Sequence, residues 1–276
     1  MRTRPFQATV FYIILAFAVL YAIGPLIWAM STAFKTPVEI SSGPPTLIPN
    51  KIVFSNFQSK QFTSAVTTYL MNSFIVALGT ITLSTVVSFF AAYAASRFEF
   101  RGKDLILFLL WATVMIPGIS VVIPLYMIST KLKLFDTYIM LILVYSAWVT
   151  PTVTWLLRGF FDSIPRSLEE SAILDGCSRI KTFYYIIAPL VKPGLASAAV
   201  LGFINVWNEF IIAYTLTISE TRRTIQTGLY HMITDWGVEW GPMMAATLTA
   251  IAPIVIIFLF LQRSFIQGIT KGSTKF

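Results

Sequence analysis

A helix needs roughly 20 mostly apolar residues to cross a bilayer. Six stretches of this chain meet that condition: residues 8–30, 68–96, 105–129, 137–157, 194–216 and 243–261. Only the fifth carries a charged residue, Glu209. The runs are continuous, and too long for barrel strands of about 9–11 residues. The expected fold class is therefore an all-α membrane protein: six transmembrane helices forming one domain over residues 1–276. Composition agrees. The chain is 56% hydrophobic and 12% charged, about half the charge of a soluble domain, which leaves too little polar surface to cover a globule of this size.

Charge placement sets the expected orientation. Cytoplasmic loops carry the excess of Lys and Arg. With both termini in the cytoplasm, 13 of the 20 basic residues lie inside. The outer remainder is Lys35, Lys51, Lys60, Lys131, Lys133, Arg222 and Arg223. Trp28, Trp236 and Trp240 fall near outer boundaries, where amphipathic rings are favoured. The first span is longer than the roughly 7–15 residues of a signal-peptide core and is expected to be retained. The net charge of +8 sits in short gaps between apolar runs, which speaks for topology and against a nucleic-acid partner. One cysteine, Cys177, and one histidine, His231, make neither an intrachain disulfide nor a zinc site. They also leave nothing for an intramembrane enzyme, so no catalytic or metal-binding residues are expected.

The stretch 158–193, between the fourth and fifth spans, is polar enough to fold at the membrane surface. Ser167 and Asp162 are both candidate helix caps. Pro165 suits a helix start, and Leu168, Ala172 and Ile173 share one apolar face. Glu169 and Glu170 lie in the first turn, where the helix dipole favours anions. Gly176 suits a helix end because glycine tolerates the left-handed conformation. A second short helix is expected over 179–187, limited by Pro189 and Pro193. Such a pair of helices is either an interfacial connector or a rigid knob that docks into a groove of a cytosolic partner.

Glu170-Ser171-Ala172, then Gly176, then Ile186-Ile187-Ala188-Pro189 resembles the signature loop of ABC importer permeases. That signature reads Glu-Ala-Ala, three residues, Gly, nine residues, Ile, any residue, Leu, Pro. Ser171 and Ala188 depart from it, each keeping a small or apolar residue. Residues 91–94, 97–102, 123–126, 158–161, 207–210 and 267–272 resemble the carbohydrate branch, so the likeness covers roughly residues 70–276. It points to the smaller of the two permeases of maltose-type importers. The resemblance implies the type I permease fold. It implies that Arg166, Glu170, Ala172, Asp175, Gly176, Ile186 and Pro189 form the ATPase-docking, or coupling, loop. The implied partners are a second related permease, two ATPase subunits and an extracytoplasmic solute-binding protein. The implied location is a bacterial or archaeal cytoplasmic membrane, and the implied cargo is a di- or oligosaccharide. The alternative is another neutral solute, such as a polyol or glycerol derivative. The only Gly-Lys pair, Gly102-Lys103, is followed by Asp104, so the chain lacks a phosphate-binding loop. ATP and Mg are expected on the partner subunits, with no cofactor bound by this chain.

Two further groups carry polar chemistry. Asn205, Trp207, Asn208 and Glu209 in the fifth span either face the substrate pathway or glue helices together. In the outer loop 217–242, Arg222, Trp236 and Trp240 are either contacts for the binding protein or parts of a solvated, membrane-anchored loop. The first outer loop, 31–62, carries Pro44, Pro45 and Pro49 and reads as a semi-rigid connector.

Overall fold

A computed structural model describes residues 5–58, 65–234 and 237–273. In chain order the helices are α1 (Pro5–Ala33), α2 (Pro37–Ser41), α3 (Thr67–Arg97), α4 (Lys103–Ala112), α5 (Gly118–Lys131) and α6 (Tyr138–Asp162). Next come α7 (Arg166–Leu174), α8 (Arg179–Thr182), a π-helical turn (Phe183–Ile187), α9 (Ala188–Leu190) and α10 (Lys192–Trp207). The chain continues through α11 (Ile211–Leu216), α12 (Ile225–Tyr230), a two-stranded ribbon of β1 (Ile233–Thr234) and β2 (Gly237–Val238), and α13 (Trp240–Ser273). The ribbon is antiparallel, with Ile233 opposite Val238. Among the described residues, four helices are long and apolar enough to cross a membrane, and six spans result if each of two bent helix pairs counts as one.

Those bends correct the expected spans. The third is broken: α4 and α5 meet at 98°. The cause is Pro117, which has no N–H to continue a helix and drives the preceding residue, Ile116, to an extended ψ of 118°. The fifth span also ends early. Helix α10 stops at Trp207, and α11 starts afresh at Ile211 after the non-helical residues Glu209 and Phe210. The segment 179–190 meets α10 at 65°, with Pro193 supplying a first-turn residue that needs no N–H donor. The fourth span runs on to Asp162, so the first five residues of the expected loop are still helix.

Two compact units divide the chain: Met1–Thr67 with Gly228–Ala252, and Thr68–Thr227 with Pro253–Phe276. In the first, Asn56 is buried and donates from Nδ2 to Ala33 O and Lys35 O, each at 2.9 Å. A Cβ on Gly241 would lie 2.8 Å from that amide, so only glycine lets the start of α13 approach it. The Pro-rich loop is not a simple spacer. Ser31 donates to Leu47 O and Lys35 Nζ to Thr46 O, folding the loop back on the end of α1. Lys35, counted above among outer charges, is buried, with its ammonium over the Trp28 ring at 5.0 Å.

The second unit holds the helices that position the sites. Helices α3 and α6 run parallel in one register. Tyr138 donates to Asn72 Oδ1 at 2.6 Å, Ser146 to Thr80 O at 3.4 Å and Ser96 to Asp162 Oδ1 at 2.5 Å, each pair 66 positions apart. The buried face of α3 is Ser73, Ala77, Thr80, Ser84, Ser88, Ala92 and Ala95. Small residues at this spacing bring helices close where lipid supplies no hydrophobic drive. Helix α10 runs antiparallel to α6. Gly194 faces Phe160 and Gly202 faces Val149, and Glu209 meets Tyr145.

Candidate functional site

The first site is the α7–α8 knob. Helix α7 opens at Arg166 with Pro165 in the cap position and no side-chain cap. Neither expected cap serves: Ser167 is inside the helix, and Asp162 ends α6, accepting from Ser96. The C-terminus is as expected and better defined. Gly176 has φ +85°, its N–H donates to Ile173 O at 3.0 Å, and the Cys177 N–H reaches Ala172 O at 2.9 Å. This is the two-bond Schellman closure, which requires a left-handed residue at that place. Asp175 is the C-cap residue. Ser178 then caps α8, accepting from the Lys181 N–H. The second helix expected over 179–187 exists in a modified form: its last five residues form a π-helical turn. Ile186 lies in that turn and Pro189 in α9, so both belong to the stem that leads into α10.

The knob presents one face outward and is clamped by the other. Ala172 is buried, whereas Arg166, Glu170, Asp175 and Gly176 are exposed. Apolar side chains are exposed beside them: Leu174 is 87% and Ile180 71% accessible. The outward face thus combines charged and aliphatic side chains. Underneath, Arg97 at the end of α3 pairs with Glu169 at 2.5 Å, with side-chain exposures of only 7% and 16%. Arg97 also donates to Ile164 O at 3.0 Å and Ser96 Oγ at 3.1 Å. Tyr93 donates to the second Glu169 oxygen at 3.3 Å, and Arg166 to Ser96 O at 3.2 Å. Rings of Phe89, Phe90, Tyr93, Phe161 and Phe183 pack together beneath, with centroids 4.5–5.9 Å apart. A hollow of about 190 Å³ between Arg97, Arg166, Glu170 and Arg179 opens onto the exposed side. Beyond Arg97, Lys103 pairs with exposed Glu99 at 2.9 Å and holds its carboxyl below the usual range.

The clamp was not legible in the sequence. Arg97 and Glu169 are 72 positions apart, and nothing local ties them. The signal available was the charge-free run of α3 ending on a single arginine.

The second site is a cleft of about 330 Å³ bounded by the α4–α5 bend, α6 and the α10–α11 break. Glu209 sits in the break. Its Oε1 accepts from Ile212 N at 2.9 Å, and its Oε2 from Ala213 N at 3.2 Å and from the Tyr145 hydroxyl at 2.5 Å. It thus caps α11 and ties it to α6. Asn205 lines the cleft; its amide donates back to Leu201 O at 2.9 Å. The four expected pathway residues do not form one cluster. Asn205 and Asn208 are exposed and Glu209 is half-buried. Trp207 is 2% exposed, stacked on Phe203 and edge-on to Phe74 at 4.9 Å each, which makes it a packing residue.

Residues 217–227 of the outer loop are exposed at 218–222 and held by hydrogen bonds to the start of α3 and to Asp136. Asn72 donates to Thr221 O at 3.0 Å and Arg223 O at 2.8 Å. Tyr69 donates to Glu220, and Ser73 accepts from Ile225 N at 2.7 Å. Asp136 accepts from the backbone N–H groups of Ile218 and Ser219. The Arg222 guanidinium lies over the Tyr138 ring at 4.4 Å. Trp240 is exposed at the start of α13, and Trp236 lies outside the described residues.

Comparison with known proteins adds the family context. The profile of the family described as "Binding-protein-dependent transport system inner membrane component" matches residues 84–271. The sulfoquinovosyl glycerol transport system permease protein of Agrobacterium fabrum is 33% identical over 251 residues, covering 91% of this chain and 88% of that protein. The trehalose/maltose transport system permease protein of Thermococcus litoralis is 37% identical over 255 residues, covering 91% of each. Among solved structures, a chain of a bacterial ABC transporter for the acidic polysaccharide alginate superposes with a TM-score of 0.84 at 23% identity. That match covers 96% of this chain and 98% of the other.

Proposed function

The chain belongs to the family of binding-protein-dependent transport system inner membrane components, and on that premise we propose that it is one permease subunit of an ATP-driven importer of di- or oligosaccharides. The observation that carries this is the knob: a Gly-terminated helix pair with exposed Leu174 and Ile180, clamped through Arg97 and Glu169 to α3, which Ser96 in turn ties to Asp162 of α6. A surface built so rigidly transmits force. The same clamp explains how: pushing on α7 moves the ends of α3 and α6 together, because Arg97, Ser96 and Asp162 bind them to it.

In this reading two separate ATPase subunits bind ATP and Mg and dock on the knob of this chain and its counterpart on a second, related permease. The absence of a phosphate-binding loop from the sequence supports hydrolysis on those other chains and no enzymatic activity on this one. Both termini and the knob face the cytoplasm, supported by the excess of Lys and Arg on that side. Closure of the ATPases rocks the helix bundle between two packings, as alternating access demands. Exposed Asn205 on α10 and Asn208 just past its end support a water-lined pathway along that helix, since polar side chains in lipid are costly. An extracytoplasmic binding protein delivers the cargo to the side where loop 217–227 is held. Sugar-transport relatives at 33–37% identity support the cargo class.

The test is reconstitution of the four-chain complex in liposomes with its binding protein. Saccharide-dependent ATP hydrolysis and uptake are expected. Hydrolysis that responds to no saccharide but to an amino acid or ion would overturn the cargo assignment.

A further inference from the structure

The cleft beside α6 has chemistry that its role as a passage does not require. It lies at mid-height. Its α6 residues, Tyr145 to Val153, centre on the midpoint of a helix that runs from Tyr138 to Asp162. One wall is the indole of Trp148, whose 37% accessibility is shared between this cleft and an apolar groove lined by Ile116, Leu125 and Leu143. Gly118, which also lines the cleft, meets the edge of that ring: a Cβ there would sit 2.6 Å from its outermost carbon, so a side chain at the α4–α5 bend would displace the indole. The rim is polar. Thr152 offers a hydroxyl, and Asn205, whose amide is committed to Leu201 O, keeps its carbonyl oxygen as an acceptor. Glu209 Oε1 has one donor, Ile212 N, and capacity for another. Among the described residues no Lys or Arg lines the cleft.

A flat apolar face ringed by hydroxyl-binding groups, with no cation, matches one class of ligand. A pyranose ring has an apolar C–H face and a rim of hydroxyls. A cleft of about 330 Å³ is at the small end of ligand pockets, suited to a segment of a saccharide rather than a long chain. Where a leucine would supply only apolar contact, an accessible indole with room left beside it by Gly118 also offers an aromatic face. We propose that this chain carries its own saccharide subsite, in which Trp148 stacks on a sugar ring while Asn205, Thr152 and Glu209 take its hydroxyls and Gly118 and Tyr145 act as positioning residues. This rests on the saccharide cargo proposed above and adds where on this chain the cargo is held.

The experiment uses the complete complex in nanodiscs, held with a non-hydrolysable ATP analogue and without the binding protein. Labelled trehalose and maltose are the probes, in equilibrium binding. Stacking on an aromatic ring and its loss predict about tenfold weaker binding for Trp148→Leu. Trp148→Phe, which keeps an aromatic face, is expected within about threefold of the unaltered protein. Gly118→Val displaces the indole without altering it and is expected to match Trp148→Leu. Asn205→Ala, at an exposed position, loses several-fold without risk to folding. Unchanged binding in Trp148→Leu, in a complex that recovers its ATPase chains in full, would overturn the subsite. So would Trp148→Phe as weak as Trp148→Leu, because shape rather than stacking would then be at work. Failure of the cargo assignment is separate: the unaltered complex would then take up no saccharide from its binding protein while moving another solute.

Discussion

Gly176 offers a clean separation of backbone strain from surface contact. Its φ of +85° lies in the left-handed region, and a Cβ added there meets nothing within 4 Å inside the chain. Any cost of substitution within this protein is therefore conformational. Forcing an ordinary L-residue into this region costs about 1–2 kcal/mol, and Asn, whose short polar side chain tolerates it, costs less. Two hydrogen bonds depend on the turn, Gly176 N to Ile173 O and Cys177 N to Ala172 O, so relaxing the strain opens the end of α7. Where docking needs the closed turn, the cost appears as weaker ATPase binding, about 5- to 30-fold. The expected order of affinity is the unaltered chain, then Gly176→Asn, then Gly176→Ala, then Gly176→Val. The assay titrates purified ATPase onto the nanodisc-held permease pair, with insertion checked by membrane yield. Strain and steric blockade predict opposite orders for Ala and Asn, because Asn is larger. Weaker binding in Gly176→Asn than in Gly176→Ala would refute the backbone argument and place the effect in direct contact with the ATPase.

Other perturbations probe the clamp, the packing and the held loop. Arg97→Leu leaves the Glu169 carboxylate, 16% exposed, without its ion partner, and about 3–5 kcal/mol of stability is expected to be lost. Adding Glu169→Leu should restore much of it, measured by thermal unfolding and ATPase recovery; a double variant no better than the single would contradict the pairing. Gly194→Ala puts a Cβ 2.7 Å from two ring carbons of Phe160. Overpacking of about 1–3 kcal/mol should lower the unfolding temperature, and an unshifted melt would show that the helices can separate freely. Asn72→Leu abandons the carbonyls of Thr221 and Arg223 at about 1–3 kcal/mol. Hydrogen exchange in residues 217–227 should then quicken while the middle of α3 stays protected.

How much was legible beforehand differs by element. Helices α1, α3, α6 and α13 announced themselves, because uninterrupted apolar length is a local property that lipid enforces. The knob was also legible: Gly176 falls where a Schellman closure needs it, and Ser178 begins the next helix. The bends were visible only as prolines. Pro117 breaks a span by 98°, whereas Pro25, Pro151 and Pro253 lie inside helices that continue through them. Packing by neighbouring helices does not separate these cases, since the α1 span is 0% buried and still continues through Pro25; a proline in the sequence marks a possible break, and only the backbone shows which one breaks. The sequence left residues 205–209 open between a pathway and helix packing, and the structure divides them. Helical geometry puts Trp207 on a different face from Asn205 and Asn208, but only the neighbours show that Phe74 and Phe203 fill its face.

Sequence alone therefore determined the solvent of this protein, the number of long apolar runs, the site of its knob and its family. Each depends on residue type at short spacing, where hydration cost and backbone preference act directly. Tertiary structure decided what those parts are joined to. The Arg97–Glu169 clamp, the Glu209–Tyr145 tie and the contact of Trp148 with Gly118 each link residues 30 or more positions apart. Such pairs are selected by the register of one helix against another, and that register is set by the small faces of α3 and α10 packing along α6.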